Sequence, residues 1–478
     1  MEIAAIIAAA AAAAGYLFMR AALAKPKEYQ IKPTAASFPP ADRTIRHLSE
    51  AVQIPTVPMG EHAGTMLLNF HQWLEEAYPL VHKHLSRTIL SDYTLVYHWE
   101  GSDASLEPVL CTAHIDVVPP GDDADLWLYP PFSGAVEDGY LWGRGSMDIK
   151  VQIVALMESV EHLLESGHQP VRSLYMVFGH DEETEGDGAK AAAQYFTDKG
   201  LRFLLVHDEG GCVTDGIIAG VNRPVANIGI AEKGYMDVEL EARQAGGHTS
   251  MPGRTTSLGE LAQALVNLER HQFPLRMTRV TAGMFEALAP YMPILQRMLI
   301  VHRRIFSPLL LRIISRTSTG NAMVRTTTAP TMAQASNAPN VLPPSAQAVV
   351  NFRLLHGDTS RTAADRIRKT IRNTNISITL KRREEPSAVT DTKSPGYQAV
   401  ERTILQVFPE SVTAPFLMIG GTDARRYEGL SDGICRFSPY ILTRSELDRL
   451  HGYDERISLE NISSAVRFYL QLFANVDI

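Results

Sequence analysis

Two stretches decide how the chain folds: T-A-H-I-D-V-V-P-P-G at 112–121 and L-W-G-R-G-S-M-D-I-K at 141–150. The β-favouring run Val109-Leu110-Cys111-Thr112-Ala113 leads into His114-Ile115-Asp116, and a long amphipathic pattern follows Asp148. One imidazole and two carboxylates therefore sit at the ends of buried elements, where open α/β sheets place their chemistry. His114 and Asp116 fall on the same side of an extended segment, so Asp116 can accept the ring N–H that a metal-bound imidazole leaves free. Gly143-Arg144-Gly145 allows close backbone approach just before Asp148. Alone, an H-x-D pattern is only a strand-end histidine with a capping carboxylate; the rest of the chain changes that reading.

Downstream, Ile153, Val154, Leu156, Met157, Val160, Leu163 and Leu164 recur at helical spacing over 150–166, and Gly167 closes the helix. The apolar run at 173–178 reads as a buried strand ending in Gly179-His180-Asp181-Glu182-Glu183-Thr184-Glu185-Gly186. An Ala-rich helix follows. The run at 202–206 reads as a third strand, ending in His207-Asp208-Glu209-Gly210-Gly211. Upstream, a helix is expected over 42–52, a helical period over 64–84 and one strand over 89–99. Strands alternating with helices predict a largely parallel sheet with helices on both faces, an α/β fold. Three acidic strand ends meeting at one edge make a site, because without a function they would only repel one another.

From about Gly234 the rhythm changes. An alternating strand over 235–242 leads into Gly246-Gly247-His248-Thr249-Ser250-Met251-Pro252, then a helix over 257–269. Residues 283–316 are apolar and arginine-rich, readable as an amphipathic helical pair or as an apolar wall for a lipid-like substrate or a membrane surface. Strands over 321–333, 345–355 and 375–380 and a helix over 362–372 complete an inserted α+β domain. The first pattern then returns: a helix over 396–408, a strand over 414–419 running into Gly420-Gly421-Thr422-Asp423-Ala424-Arg425, the segment His451-Gly452-Tyr453-Asp454-Glu455-Arg456, and a terminal helix over 459–473. The expected organisation is a catalytic domain over 45–233 and 387–478, with a lid or dimerisation domain over 234–386 inserted in it.

With 478 residues, 45% hydrophobic and 21% charged, the chain can bury a sizeable core. A formal net charge of −8 gives no reason to expect nucleic-acid binding. Cys111, Cys212 and Cys435 are far apart, without C-x-x-C spacing, and read as buried thiols. Residues 3–19 are uncharged and Ala-rich, at the short limit of the roughly 17–25 residues a membrane span needs. Met1-Glu2 lacks the positive start of a signal peptide, although Ala22-Leu23-Ala24 resembles a cleavage site. Residues 1–24 are thus an anchor giving possible membrane association through 3–19, or a signal segment cleaved on secretion. Residues 25–44, with Pro26, Pro33, Pro39 and Pro40, read as a linker.

Taken in order, H-I-D-V-V-P, G-R-G-S-M-D-I-K, H-D-E-E-T-E-G, H-D-E-G-G, G-G-H-T-S-M-P, G-G-T-D-A-R and H-G-Y-D-E-R resemble the dinuclear zinc exopeptidases of peptidase clan MH. Within that clan the chain is similar to the aminoacylase and carboxypeptidase S family, in forms like Gly-Xaa carboxypeptidase and the N-acyl-amino-acid hydrolases. The resemblance runs from about residue 45 to the end. It implies two zinc ions, with cobalt or manganese as alternatives: His114, Asp148 and Asp208 on one, Asp148, Glu183 and His451 on the other. It makes Glu182 the general base and Asp116 the residue that orients His114. His248 would cross from the lid to stabilise the oxyanion, from the partner subunit if the protein is a homodimer. Nitrogen and oxygen donors suit such ions. Asp181 reads as a capping residue, and His180 and His207 as core histidines. Arg353, Asn340 and the loop with Gly421, Thr422 and Arg425 are candidates for gripping a substrate carboxylate. The implied activity is hydrolysis of the amide of an N-acyl amino acid or of a peptide with a free C-terminal residue. A catalytically silent binding protein and an aminopeptidase of the same clan are the alternatives.

Overall fold

The structure, a computed structural model, describes residues 9, 12, 15–26, 31 and 38–478. Of the expected anchor or signal segment over 1–24 and the linker over 25–44, residues 1–8, 10, 11, 13, 14, 27–30 and 32–37 lie outside the described residues, and 41–44 already belong to the first helix. Among the described residues no helix is long and apolar enough to cross a membrane.

The central sheet has eight strands. Six precede the insertion: β1 (Ser86–Leu90), β2 (Thr94–Trp99), β3 (Val109–His114), β4 (Leu174–Gly179), β5 (Leu205–Thr214) and β6 (Val225–Glu232). The insertion supplies β7 (Gly234–Arg243), β8 (Thr327–Gln334), β9 (Ser345–Leu354) and β10 (Ile376–Glu384), and the sheet is completed by β11 (Val412–Met418) and β12 (Ile434–Leu442). The order across the sheet is β1-β2-β4-β3-β5-β12-β6-β11. β3, β4, β5 and β12 are mutually parallel, which requires helical crossovers and leaves both faces covered. Hence every residue of β3, β4 and β6 is buried.

Side chains of alternating parity feed two cores. Val109, Cys111, Leu174 and Met176 join α1 (Ala41–Val52), α2 (Lys150–Glu165) and the terminal helix on one face. Leu110, Tyr175, Val177 and Val206 face α3 (Asp187–Asp198) on the other. α2 is buried from Lys150 to Glu161, because it lies between the sheet and the terminal helix Leu459–Asn475.

The insertion has its own four-stranded antiparallel sheet, ordered β8-β9-β7-β10. β7 alternates buried and half-exposed, so one face packs on α4 (Ser257–Arg270) and the helix Ser360–Ile371 and the other meets water. The 283–316 stretch does not pack on this sheet. It forms α5 (Arg279–Leu288), α6 (Ile294–Val301) and α7 (Arg303–Ile314), whose Met284, Leu288, Ile300, Leu310 and Leu311 pack with Val225, Val412 and Ala414 at the edge of the central sheet.

Two further expectations are corrected. The strand over 89–99 is the hairpin β1–β2, turning at Ser91 and Asp92, both with positive φ. The third strand does not stop at His207 but continues to Thr214 through a bulge: β12 pairs Arg436 with Asp208 and then Phe437 with Gly211. A Cβ on Gly211 would lie 1.9 Å from the Asn227 carbonyl, so only glycine lets the strand pass there.

Candidate metal centre

β3 and β4 end side by side, with His114 paired to Gly179, so the loops after both strands open on one spot. The His114 ring is 1% exposed. Its Nδ1 lies 2.9 Å from the Asp116 carbonyl, which can only accept, so Nδ1 carries the proton and Nε2 presents a lone pair. Nε2 faces Asp148 Oδ1 at 3.2 Å and Glu209 Oε1 at 3.1 Å, aligned for a hydrogen bond with neither. The other oxygen of Asp148 points the opposite way, 3.0 Å from His451 Nε2, and that nitrogen is 3.2 Å from Glu183 Oε1. Asp148 thus lies between two clusters, one with His114 and Glu209, one with His451 and Glu183. Glu182 offers a carboxylate oxygen to the first cluster, with His114 and Glu209.

Supporting contacts explain the placement. The Asp116 carboxylate accepts the backbone N–H groups of Glu182 and Glu183 at 3.2 and 3.0 Å, fixing the loop after β4, while its carbonyl orients His114. Asp181 accepts from Asp187 N and Gly188 N and caps α3, as expected. His207 is buried between Phe468 and Tyr469, and His180 meets Thr94 Oγ1 at 2.7 Å.

Asp208, the expected third ligand beside His114, does not join the cluster. Its carboxylate accepts from Glu209 N at 2.9 Å and Ala424 N at 2.7 Å. Neighbours on an extended strand point to opposite faces, and the bulge turns Glu209 towards His114 instead. Also missing from the sequence reading is Glu455. One of its oxygens accepts from the backbone of Gly145, Met147 and Asp148 at 3.0, 2.9 and 3.1 Å, and the other pairs with Arg144 at 2.5 Å. Its position four residues after His451 in H-G-Y-D-E-R was the available signal.

His248 and the residues expected to grip a substrate carboxylate have other partners. His248 is exposed, bonded to Ser250 Oγ at 2.8 Å, and paired across a two-stranded ribbon with Val341, next to Asn340. Arg353 stacks over the Tyr235 ring at 4.6 Å. Thr422 Oγ1 donates to Glu232 at 2.9 Å, with Gly421 beside the same carboxylate. Arg425 is engaged at the lid hinge, with Glu384 at 2.9 Å and the Glu385 carbonyl at 2.8 Å.

Burial raises the carboxyls of Glu182 and Glu209, and neighbouring carboxylates add to it against the opposing pull of His114, which leaves Glu209 at about 8. Burial would raise Asp148 as well, but the imidazoles of His114 and His451 outweigh it and hold that group low. A lone pair and several half-buried carboxylates aimed at one another form a repulsive arrangement unless a cation lies among them. The donor set is nitrogen and oxygen only, so the residues present fit divalent metal.

Residues 110–475 match the family described as Peptidase family M20/M25/M40. The chain belongs to this family. Across 441 residues it is 40% identical to the probable carboxypeptidase S-like 2 of Dictyostelium discoideum, covering 90% of this chain and 85% of that protein. Across 440 residues it is 38% identical to the N-fatty-acyl-amino acid synthase/hydrolase PM20D1 of Xenopus tropicalis, covering 91% and 86%. Its fold is similar to that of the M20 family metallo-carboxypeptidase Sso-CP2 from Sulfolobus solfataricus, with a TM-score of 0.67, 17% identity, and 91% and 99% of the two chains covered. M20 members are metal-dependent, and this chain is a hydrolase of the M20 metallopeptidase family.

Proposed function

We propose that the protein hydrolyses the amide bond of N-acyl amino acids or of peptides with a free C-terminal residue. The carrying observation is Asp148, with one oxygen towards His114 and the other towards His451, each histidine accompanied by a further glutamate. The names of the relatives, carboxypeptidase S-like and N-fatty-acyl-amino acid hydrolase, share one chemical demand: the leaving amine carries a carboxylate.

His114, Asp148 and Glu209 would hold one ion and Asp148, Glu183 and His451 a second, zinc being the ion that the donor set suits and cobalt or manganese the alternatives. When bound, such a pair supplies Lewis acidity towards the carbonyl and an acidified water. Glu182 takes the water's proton and returns it to the leaving nitrogen; its raised affinity for protons suits both halves of that task. Asp116 keeps His114 in the tautomer that presents Nε2. Arg353 makes no ion pair among the described residues, so its guanidinium is left for a substrate carboxylate, with Asn340 as a further polar contact. The Thr422 and Arg425 side chains serve by holding the Gly421 turn and the hinge. His248 would reach the oxyanion after closure of the lid or from a second copy in a homodimer.

We read 234–386 as the inserted lid, with α5, α6 and α7 returning to the catalytic body of 45–233 and 387–478. Residues 1–24 direct the chain to a membrane, as an anchor or as a cleaved signal. The decisive assay compares an N-long-chain-acyl amino acid with a Gly-Xaa dipeptide on zinc-loaded protein. Glu182→Gln should lower kcat by about 10²–10⁴-fold with metal content unchanged. Unaltered hydrolysis by that variant would sink the proposal.

A further inference from the structure

We propose that α6 and α7, joined by the N-terminal helix lying on them when residues 1–24 are retained, form a docking surface for an anionic lipid bilayer. Residues 15–22 are helical and rest on the body here: the His302 ring nitrogen is 3.0 Å from the Leu17 carbonyl, the Tyr16 and His302 rings are 6.4 Å apart, and Ala21 is fully buried. α7 turns Leu310 and Leu311 into the core beneath it. It leaves Ile305, Leu309 and Ile313 facing outwards, 66%, 50% and 41% exposed. Spaced four residues apart, these share one helical face. Leu295 on α6 is 73% exposed, and Tyr16, Phe18, Met19 and Leu23 of the N-terminal segment are exposed as well.

Charge identifies the partner. The whole chain carries −8, yet α6 and α7 contain four arginines and no aspartate or glutamate, one of them, Arg303, paired with Glu286 of α5. Residues 3–27 are also free of acid and carry Arg20, Lys25 and Lys27. Arg304, Arg312 and Arg316 are exposed along and just beyond α7. An apolar stripe flanked by arginines fits the boundary between acyl chains and headgroups: leucine and isoleucine enter the hydrocarbon edge, and the guanidinium groups reach back to phosphate and carboxylate. A second copy of this surface would bring arginine against arginine, which disfavours self-association as the cover. In sequence, the N-terminal helix is preceded by the uncharged, Ala-rich residues 3–14.

The test uses the full chain. The native cysteines are buried, so Leu309→Cys accepts a polarity-sensitive fluorophore selectively, and Leu68→Cys, exposed on the helix Ala63–Ala77, is the control. Phosphatidylcholine vesicles containing phosphatidylserine should shift the emission at 309 to the blue, brominated acyl chains should quench it, and the label at 68 should stay in water. Omitting phosphatidylserine should weaken the binding read at 309 by about a hundredfold, since Arg304, Arg312 and Arg316 each lose an anionic surface to attract them. The triple variant Ile305→Glu, Leu309→Glu, Ile313→Glu should hydrolyse a short soluble substrate as the parent does and show hydrogen exchange on α7 that vesicles no longer slow. A 309 label that stays in water with vesicles overturns the proposal. So does a blue shift that appears without lipid and grows with protein concentration, which would assign the face to a second copy, and so does an equal response to vesicles without phosphatidylserine.

Discussion

On an extended strand adjacent side chains point to opposite faces, so only one of Asp208 and Glu209 can turn towards His114. The bulge in β5 gives that place to Glu209 and leaves Asp208 holding the Ala424 amide. The two residues therefore separate in experiment. Glu209→Gln should lose metal on dialysis against a mild chelator. Asp208→Asn should keep its metal and lose only about 1–3 kcal/mol of stability from weakened hydrogen bonds to a charged acceptor. Elemental analysis beside thermal unfolding decides it; metal loss in Asp208→Asn with retention in Glu209→Gln would reverse the assignment. Glu182 is the other residue whose neighbour matters. Its backbone and that of Glu183 are pinned by one carboxylate, Asp116, so two adjacent glutamates take up different positions.

At the scale of the element, the turn before α2 is organised by a buried anion. Glu455 gathers three backbone N–H groups from Gly145 to Asp148 and the Arg144 guanidinium, although it comes from a loop about three hundred residues later in the chain. Glu455→Gln leaves a buried arginine without its countercharge, a loss on the order of 3–5 kcal/mol. Because Asp148 is held by the same carboxylate, metal affinity should also fall by about 10–100-fold. A calorimetric scan with a metal titration checks both. Normal metal affinity in a destabilised variant would reduce Glu455 to a packing role. The double variant Arg144→Met, Glu455→Gln should recover part of the stability and none of the affinity.

For the molecule as a whole, the passage from body to lid runs through Lys233, which is 1% exposed and donates to the Ala322 and Arg325 carbonyls, both at 2.9 Å. Burial pulls its ammonium down to about 7 from the usual 10.5. Between those values the unfolded chain holds a proton that the folded chain has released, so stability rises with pH across that window. Below about 7 both states are protonated and the cost of burying the charge is present in full. Lys233→Met should therefore gain most over the parent below pH 7, and the gap should close towards pH 10 with a slope of at most about 1.4 kcal/mol per unit. Denaturant unfolding of both proteins across the range tests this; a gap that does not change with pH contradicts it. At the other crossing, Arg425 and Arg426 both reach Glu384, so the loop expected to grip substrate instead ties the lid to the body.

The sequence by itself determined the α/β class, the buried strands at 109–114 and 174–179, the α2 and terminal helices, and His114, Asp148, Glu183 and His451 as candidates; it missed the buried strands β6 and β12. What it determined follows from local periodicity and from the types of residue at strand ends, which neighbouring residues in the chain already encode. Only the tertiary structure decided that Glu209 replaces Asp208, that Glu455 anchors the Asp148 turn, that 89–99 is a hairpin, and that 283–316 packs on the body. Each of these depends on a partner distant in the chain: β12 sets the bulge, Arg144 receives Glu455, and Val412 and Ala414 receive α5 to α7. Periodicity reports that a face is apolar; which surface covers it is settled by three-dimensional packing.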